Sequence, residues 1–303
     1  MIAIFQRLRR ALSGCQAVIA FIILLQFDGA ACSHEMSDVE RLLIQASNVK
    51  KFVPATRSDL DQCEELFRRT FVGPRDETLV TDWNVSGWRL RQLSIDGHDV
   101  FVVYEDRQHL RGWGFYIIVP DRLPGVALQS PHSFADELSR ELALLCMAEG
   151  SFATCAWNTV RRDRIDVAHQ IDHPFSSFTK ALIESQPEAY VVQLHGFAQE
   201  KRKTPQGTVS DLIISNGDRF PAPAVRKAAV LMQTNFPYGR VRLYPQEINE
   251  LGATTNVQGE LLRQHSSDRF IHFEMSRPLR NKLLSDATAR ALFLKNLNRV
   301  VEE

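Results

Sequence analysis

Three histidines sit where a short apolar run gives way to a polar break. They are His132 in Ser130-Pro131-His132-Ser133-Phe134, His195 in Gln193-Leu194-His195-Gly196-Phe197, and His272 in His272-Phe273-Glu274-Met275-Ser276. Imidazole nitrogen is a borderline donor that suits zinc. Two nitrogens and one carboxylate oxygen, with the fourth position open, form a hydrolytic rather than a closed structural site. His132 and His195 are far apart in sequence, and Asp136 and Glu137 follow His132 closely. Either acid can share an ion with His132, since both fall near the start of the next element. The competing reading makes Ser133 or Asp136 a helix cap and His132 an ordinary loop residue.

Glu274 is the candidate general base. In a strand, alternation puts His272 and Glu274 on one face and Ile271, Phe273 and Met275 on the other. A strand gains little from a carboxylate, so Glu274 reads as the group that takes a proton from water and delivers it to a leaving nitrogen. A salt bridge to Arg277 or Arg280 is the alternative. Asp166-Val167-Ala168-His169 is a fourth polar cluster, with Arg161 and Arg162 before it. His169 fits a ligand, a partner of a ligand or a substrate contact. The planar guanidinium of Arg161 or Arg162 suits a substrate carboxylate or a developing oxyanion. Asn256 and Gln258, after the flexible stretch 252–255, are placed to line the same cleft.

These residues need a scaffold that brings strand ends together. Helical spacing is read at 37–48, at 57–71 with Ser58 and Asp61 at its start, at 136–147, within 178–184, at 223–234 and at 280–297. Strands are read at 89–95, 100–104, 113–119, 126–128, 152–158, 190–194, 212–214, 241–244 and 270–275. The alternation predicts an α/β fold with a twisted, mixed, mostly parallel sheet and helices on both faces. Residues 32–303 read as one domain, with residues 50–120 supplying an antiparallel edge or a small preceding lobe. In open sheets of this kind, ligands lie beyond the carboxyl ends of the strands.

The first 31 residues read as an export signal rather than fold material. Arg7, Arg9 and Arg10 precede an apolar stretch at 17–25, and Gly29-Ala30-Ala31 offers small residues before Cys32. The expected location is periplasmic or extracellular, with an uncleaved anchor or a lipid on Cys32 as alternatives. No later segment is long and apolar enough to span a bilayer. The net charge of the 303-residue chain is +0, which predicts no general attraction to nucleic acid. Lys201-Arg202-Lys203 reads as a solvated loop. Cys146 and Cys155 are either a short-loop disulfide or two buried thiols. There is no Cys-x-x-Cys pair, no Gly-x-Ser-x-Gly elbow and no Gly-rich nucleotide loop.

Taken together, Ser130–Phe134, Asp166–His169, Gln193–Phe197 and His272–Ser276 resemble the zinc carboxypeptidase-like and N-acylamino-acid amidohydrolase group. That group includes the N-formylglutamate amidohydrolases and phage-type poly-γ-glutamate hydrolases. The resemblance spans residues 128–280 and implies one zinc ion held by His132, an acidic partner and His195, with Glu274 as catalytic carboxylate. In the zinc carboxypeptidases the acidic ligand stands three residues after the first histidine. Here that position is Ala135, which leaves Asp136, preferred on helical spacing, or Glu137. The family's Asp-x-Asn-Arg substrate pattern corresponds to Asp166–His169, where histidine replaces arginine, so a carboxylate-bearing substrate is not implied. The expected activity is zinc-dependent hydrolysis of an amide in an N-acylamino acid or peptide. The alternative is a non-catalytic, metal-containing periplasmic protein that binds peptides or cell-wall fragments. Nothing in the sequence speaks to oligomeric state.

Overall fold

The computed structural model describes residues 36–302. The predicted export segment and Cys32 lie outside them. Helix α1 (residues 36–46) leads to α2 (Arg57–Val72) and α3 (Glu77–Val85). The antiparallel strands β1 (Trp88–Ile95), β2 (His98–Glu105) and β3 (Phe115–Ile118) come next. Then strands and helices alternate: β4 (Val126–Ser130), α4 (Ser139–Glu149), β5 (Phe152–Trp157), α5 (Pro174–Ser185), β6 (Tyr190–Phe197), α6 (Pro205–Val209) and β7 (Leu212–Ser215). The chain closes with α7 (Pro223–Asn235), β8 (Val241–Leu243), α8 (Val257–Gln264), β9 (Phe270–Ser276), α9 (Arg277–Ser285) and α10 (Ala287–Val301).

The strands form one sheet in the order β1-β2-β3-β5-β4-β6-β9-β7-β8. Its centre, β5-β4-β6-β9, pairs in parallel, as does β7 with β8. The β1–β3 edge, its junction with β5, and the β7–β9 pair are antiparallel. Antiparallel pairing thus takes a larger share than the alternating pattern suggested. Residues 88–118 join the sheet as its antiparallel edge. Asp96 and Gly97, both in the left-handed region (φ 51° and 79°), make the two-residue turn between β1 and β2.

Both faces are covered. One apolar cluster joins α1, α4, α7, α9 and α10 to Val192, Leu194, Ile271 and Phe273. On the other face, α2, α3, α5 and α8 pack over Val103, Tyr116 and Val191. Phe67 is the hub there, with its ring 4.7 Å from Tyr116, 5.0 Å from Trp83 and 5.1 Å from Phe178. Alternation on β6 and β9 decides what each face receives. Val192, Leu194, Ile271 and Phe273 go to the first, while Gln193, His195, His272 and Glu274 share the second.

Several expectations are corrected. Helix α2 is capped by Thr56 and Asp59 in a capping box, not by Ser58 and Asp61. The predicted last helix is two, since Asp286 ends α9 and caps α10 by accepting from the N–H groups of Thr288 and Ala289. Helix α4 starts at Ser139, because Leu138 takes a left-handed conformation (φ 71°). Asp136 therefore lies in the preceding turn, not on a helix. Cys146 and Cys155 are free, buried thiols, with Cys155 Sγ 3.2 Å from Met147 Sδ. Burial pushes the Cys146 thiol up to about 12. No helix among the described residues is long and apolar enough to cross a membrane.

Candidate metal centre

Strands β4, β6 and β9 are parallel neighbours, so their carboxyl ends open on one side of the sheet. The β6–β9 register sets His195 opposite Glu274 and Gln193 opposite His272. After β4, Pro131 leads into a tight turn in which the N–H groups of Ala135 and Asp136 both donate to the His132 carbonyl at 3.0 Å. That turn, rather than a helix, brings Asp136 back beside the His132 ring. The result is a triangle of donor atoms. His132 Nδ1 and His195 Nδ1 are 3.0 Å apart, and Asp136 Oδ2 lies 3.3 Å from the first and 3.5 Å from the second. All three residues are buried.

The proton positions follow from the partners of the outer nitrogens. His132 Nε2 donates to Asp166 Oδ1 at 2.8 Å, and Asp166 Oδ2 accepts from Arg162 Nε at 2.7 Å. His195 Nε2 donates to Gln193 Oε1 at 3.1 Å. That amide is itself oriented, because its oxygen also accepts from Asn256 Nδ2 while its nitrogen donates to Gln129 Oε1 and Gln258 Oε1. Gln129 then donates to Thr179 on α5, and Gln258 to the Val167 carbonyl and Ser176 Oγ. Each link has one donor and one acceptor, so the amide orientations are mutually fixed. Both rings consequently turn an Nδ1 lone pair toward the other.

Two lone pairs facing each other at 3.0 Å repel unless a proton or a cation lies between them. A tetrahedral zinc ion with arms of about 2.0–2.1 Å separates its ligand atoms by about 3.3–3.4 Å, which the measured 3.0, 3.3 and 3.5 Å bracket. The donor set fits a metal ion. The outer-nitrogen bonds supply the partners that orient histidine ligands in such sites. Electrostatics follow the same geometry. Burial works to lower His132, but Asp136 and Asp166 outweigh it and raise it to about 9. Burial holds His195 down at about 4. Burial would raise Asp136 and Asp166, yet the histidines beside them keep both carboxyls below their ordinary range.

Glu274 lies on the same face, 9% exposed, with Oε2 buried and without a hydrogen-bond partner. Its Oε1 is 3.7 Å from His272 Nε2, and it pairs with neither Arg277 nor Arg280. Burial, then the charge of Asp136, raise it to about 8. His195, His272 and Glu274 form a second cluster of donors. Both nitrogens of His195 are engaged, one toward the triangle and one by Gln193, so this cluster does not provide an independent second ion with a histidine of its own.

A cleft of about 660 Å³ opens over these groups, lined by His132, Asp136, His195, His272 and Glu274 among others. Glu137, Arg162, His169 and Asn256 also line it. Glu137 pairs with Arg277 at 2.9 Å and lies outside the donor triangle. His169 Nδ1 donates to the Thr255 carbonyl at 2.9 Å, and Asn256 caps α8. Arg161 is a correction: its side chain is 77% exposed, pairs with Asp163 and does not line the cleft. Lys201 and Arg202, expected in a solvated loop, do line it. The sequence reading missed the buried amides Gln129 and Gln193. Their signal was a polar residue at alternate positions of an otherwise apolar strand.

No family model matches the chain, and no curated protein matches it. Among solved structures it is similar to an N-formylglutamate amidohydrolase from Ralstonia eutropha JMP134, at 13% identity over 58% of this chain and 92% of that one, with a TM-score of 0.39. It is also similar to an aspartoacylase family protein from Mesorhizobium loti, at 12% identity over 70% of this chain and 66% of that one, with a TM-score of 0.37. What the chain's own geometry defines is an α/β protein with a buried His-Asp-His cluster able to hold a metal ion.

Proposed function

We propose that this chain is a zinc-dependent hydrolase that cleaves the amide bond of an N-acylamino acid or peptide. The observation that supports it is the donor triangle of His132, Asp136 and His195 beside a buried carboxyl, Glu274, whose Oε2 has no partner. A structural metal site has no use for such a carboxyl, whereas a hydrolytic site needs a base next to the open coordination position.

His132 Nδ1, His195 Nδ1 and Asp136 Oδ2 would hold the ion, with Asp166 and Gln193 fixing the two rings. When bound, zinc supplies Lewis acidity, polarising the scissile carbonyl and lowering the pKa of water. Glu274 takes a proton from the attacking water as its oxygen bonds to the carbonyl carbon. The same proton then passes from Glu274 to the amide nitrogen as the carbon–nitrogen bond breaks, giving a carboxylic acid and an amine. Arg162 acts at one remove, through Asp166 and His132. On the pattern of residues 1–31, we place the reaction outside the cytoplasm.

The test is elemental analysis of the purified protein, then turnover of a panel of N-acylamino acids and peptides with and without a chelator. One zinc per chain is expected, with activity lost on chelation and restored by zinc, and Glu274→Gln binding zinc without turnover. Tight binding of intact ligand with no turnover would favour the non-catalytic reading. Turnover that survives loss of both metal and Glu274 would overturn the mechanism.

A further inference from the structure

Arg280, on α9, is 4% exposed and forms no ion pair among the described residues. Two of its guanidinium nitrogens instead donate to backbone, and the residue also lines the cleft. Nε donates to the Glu137 carbonyl at 2.7 Å, and Nη1 donates to the Met275 carbonyl. The group also packs close against Gly196, where a Cβ would fall 2.5 Å from Cζ and 3.0 Å from Nε. Glu137, Met275 and Gly196 are the residues that directly follow Asp136, Glu274 and His195. One side chain thus touches the three chain segments that carry the acidic donor, the candidate base and the second histidine. Gly196 ties two of them further, its N–H donating to Asp136 Oδ2 at 2.9 Å.

Burying a cation without a carboxylate partner is costly, and an apolar side chain would fill the same space without that cost. A guanidinium offers what an apolar group cannot, a rigid fork of donors reaching two carbonyls at a set separation. Gly196 does not adopt a left-handed conformation, as it is absent from the positive-φ residues, so backbone freedom does not explain it. Room for Arg280 does.

We propose that Arg280 is a positioning residue for the metal centre, setting the separation of the three donor-bearing segments, and that Gly196 is the notch that admits it. The inference rests on the zinc-hydrolase reading. It predicts that metal affinity depends on the pair, and that Gly196 matters only while Arg280 is present.

The experiment is a double-mutant cycle on the full chain, with zinc affinity measured against a competing chelator and cooperative unfolding of the chelated protein followed separately. R280A is expected to weaken zinc binding by about 10–100-fold, the range for residues that orient ligands, while unfolding stays cooperative. G196A is expected to weaken it comparably in the parent and by less than about twofold in R280A. R280K, whose ammonium lacks the fork, is expected to fall between parent and R280A, and serves as the test should R280A not fold. Parent-like affinity in R280A or R280K would overturn the inference, as would an equal cost of G196A in both backgrounds. If the parent itself binds no zinc, the zinc reading fails with it, and the first titration shows that before any variant is made.

Discussion

Asp166 offers a sharp test of how the donor triangle is oriented. Its Oδ1 receives the Nε2 proton of His132 at 2.8 Å, a charge-assisted bond, and Arg162 holds its other oxygen at 2.7 Å. Loss of such an outer partner typically weakens metal binding by about 10–100-fold, or about 1.4–2.7 kcal/mol. The Asp166 side chain is 27% exposed, so solvent discounts the charge. Asp166→Asn keeps an acceptor for the His132 ring but not the charge, which sets its expected loss at about tenfold. Asp166→Ala frees the ring to rotate, and the expected loss is nearer 100-fold. Zinc titration against a chromophoric chelator at neutral pH reads both. Should Asp166→Ala hold zinc within about twofold of the parent, His132 is oriented by something other than this carboxylate, and the outer-partner reasoning is wrong.

Glu274→Gln should lower turnover by at least about 100-fold while zinc content stays at parent level; a fall in zinc content would make Glu274 a ligand instead of a base. Arg161→Ala should leave kcat/KM within about twofold, since that side chain pairs with Asp163 in solvent, whereas Arg162→Ala should lower zinc affinity; equal effects would refute the assignment. His173 is fully buried, donating from Nε2 to the Gly112 carbonyl and accepting from the Phe175 N–H. Burial holds it down at about 4, against an ordinary 6.5. The unfolded chain binds this proton below 6.5 and the folded one only near 4, so stability falls as pH drops through that window, by about 3 kcal/mol. His173→Asn can still cap α5 and should show that much less change in urea midpoint-derived stability between neutral and acid pH; identical slopes would refute it. Phe67→Ala should cost about 3–5 kcal/mol and lower Tm by about 10 °C, and a loss under 1 kcal/mol would mean that the aromatic hub is not the packing centre.

Strand alternation makes much of the centre legible in the sequence. Val-Val-Gln-Leu-His and Ile-His-Phe-Glu-Met assign their polar members to one face, and short strands ending in polar breaks place those faces at a sheet edge. What remained hidden depends on contacts between distant segments. Nothing local distinguishes Arg161 from Arg162; their different fates are set by where Asp166 and Asp163 fall. Arg280 looked like a salt-bridge partner for Glu274, because the sequence does not show that two carbonyls and a glycine surround its guanidinium. The break between α9 and α10 was missed since no glycine or proline marks it, and Asp286 works through capping alone. The turn holding Asp136 depends on Leu138 in a left-handed conformation, which a leucine rarely adopts.

The pairing of His195 with Glu274 across β6 and β9 has a bearing on how the protein reaches its native state. Sliding β9 by a single position would turn Phe273 toward the cleft and drive the Glu274 carboxyl into the apolar layer under α7 and α10. Misaligned sheets are therefore penalised by the very groups that would do the chemistry. Correct threading and a competent centre should arise in the same event, leaving no well-folded but misassembled population to be sorted afterwards.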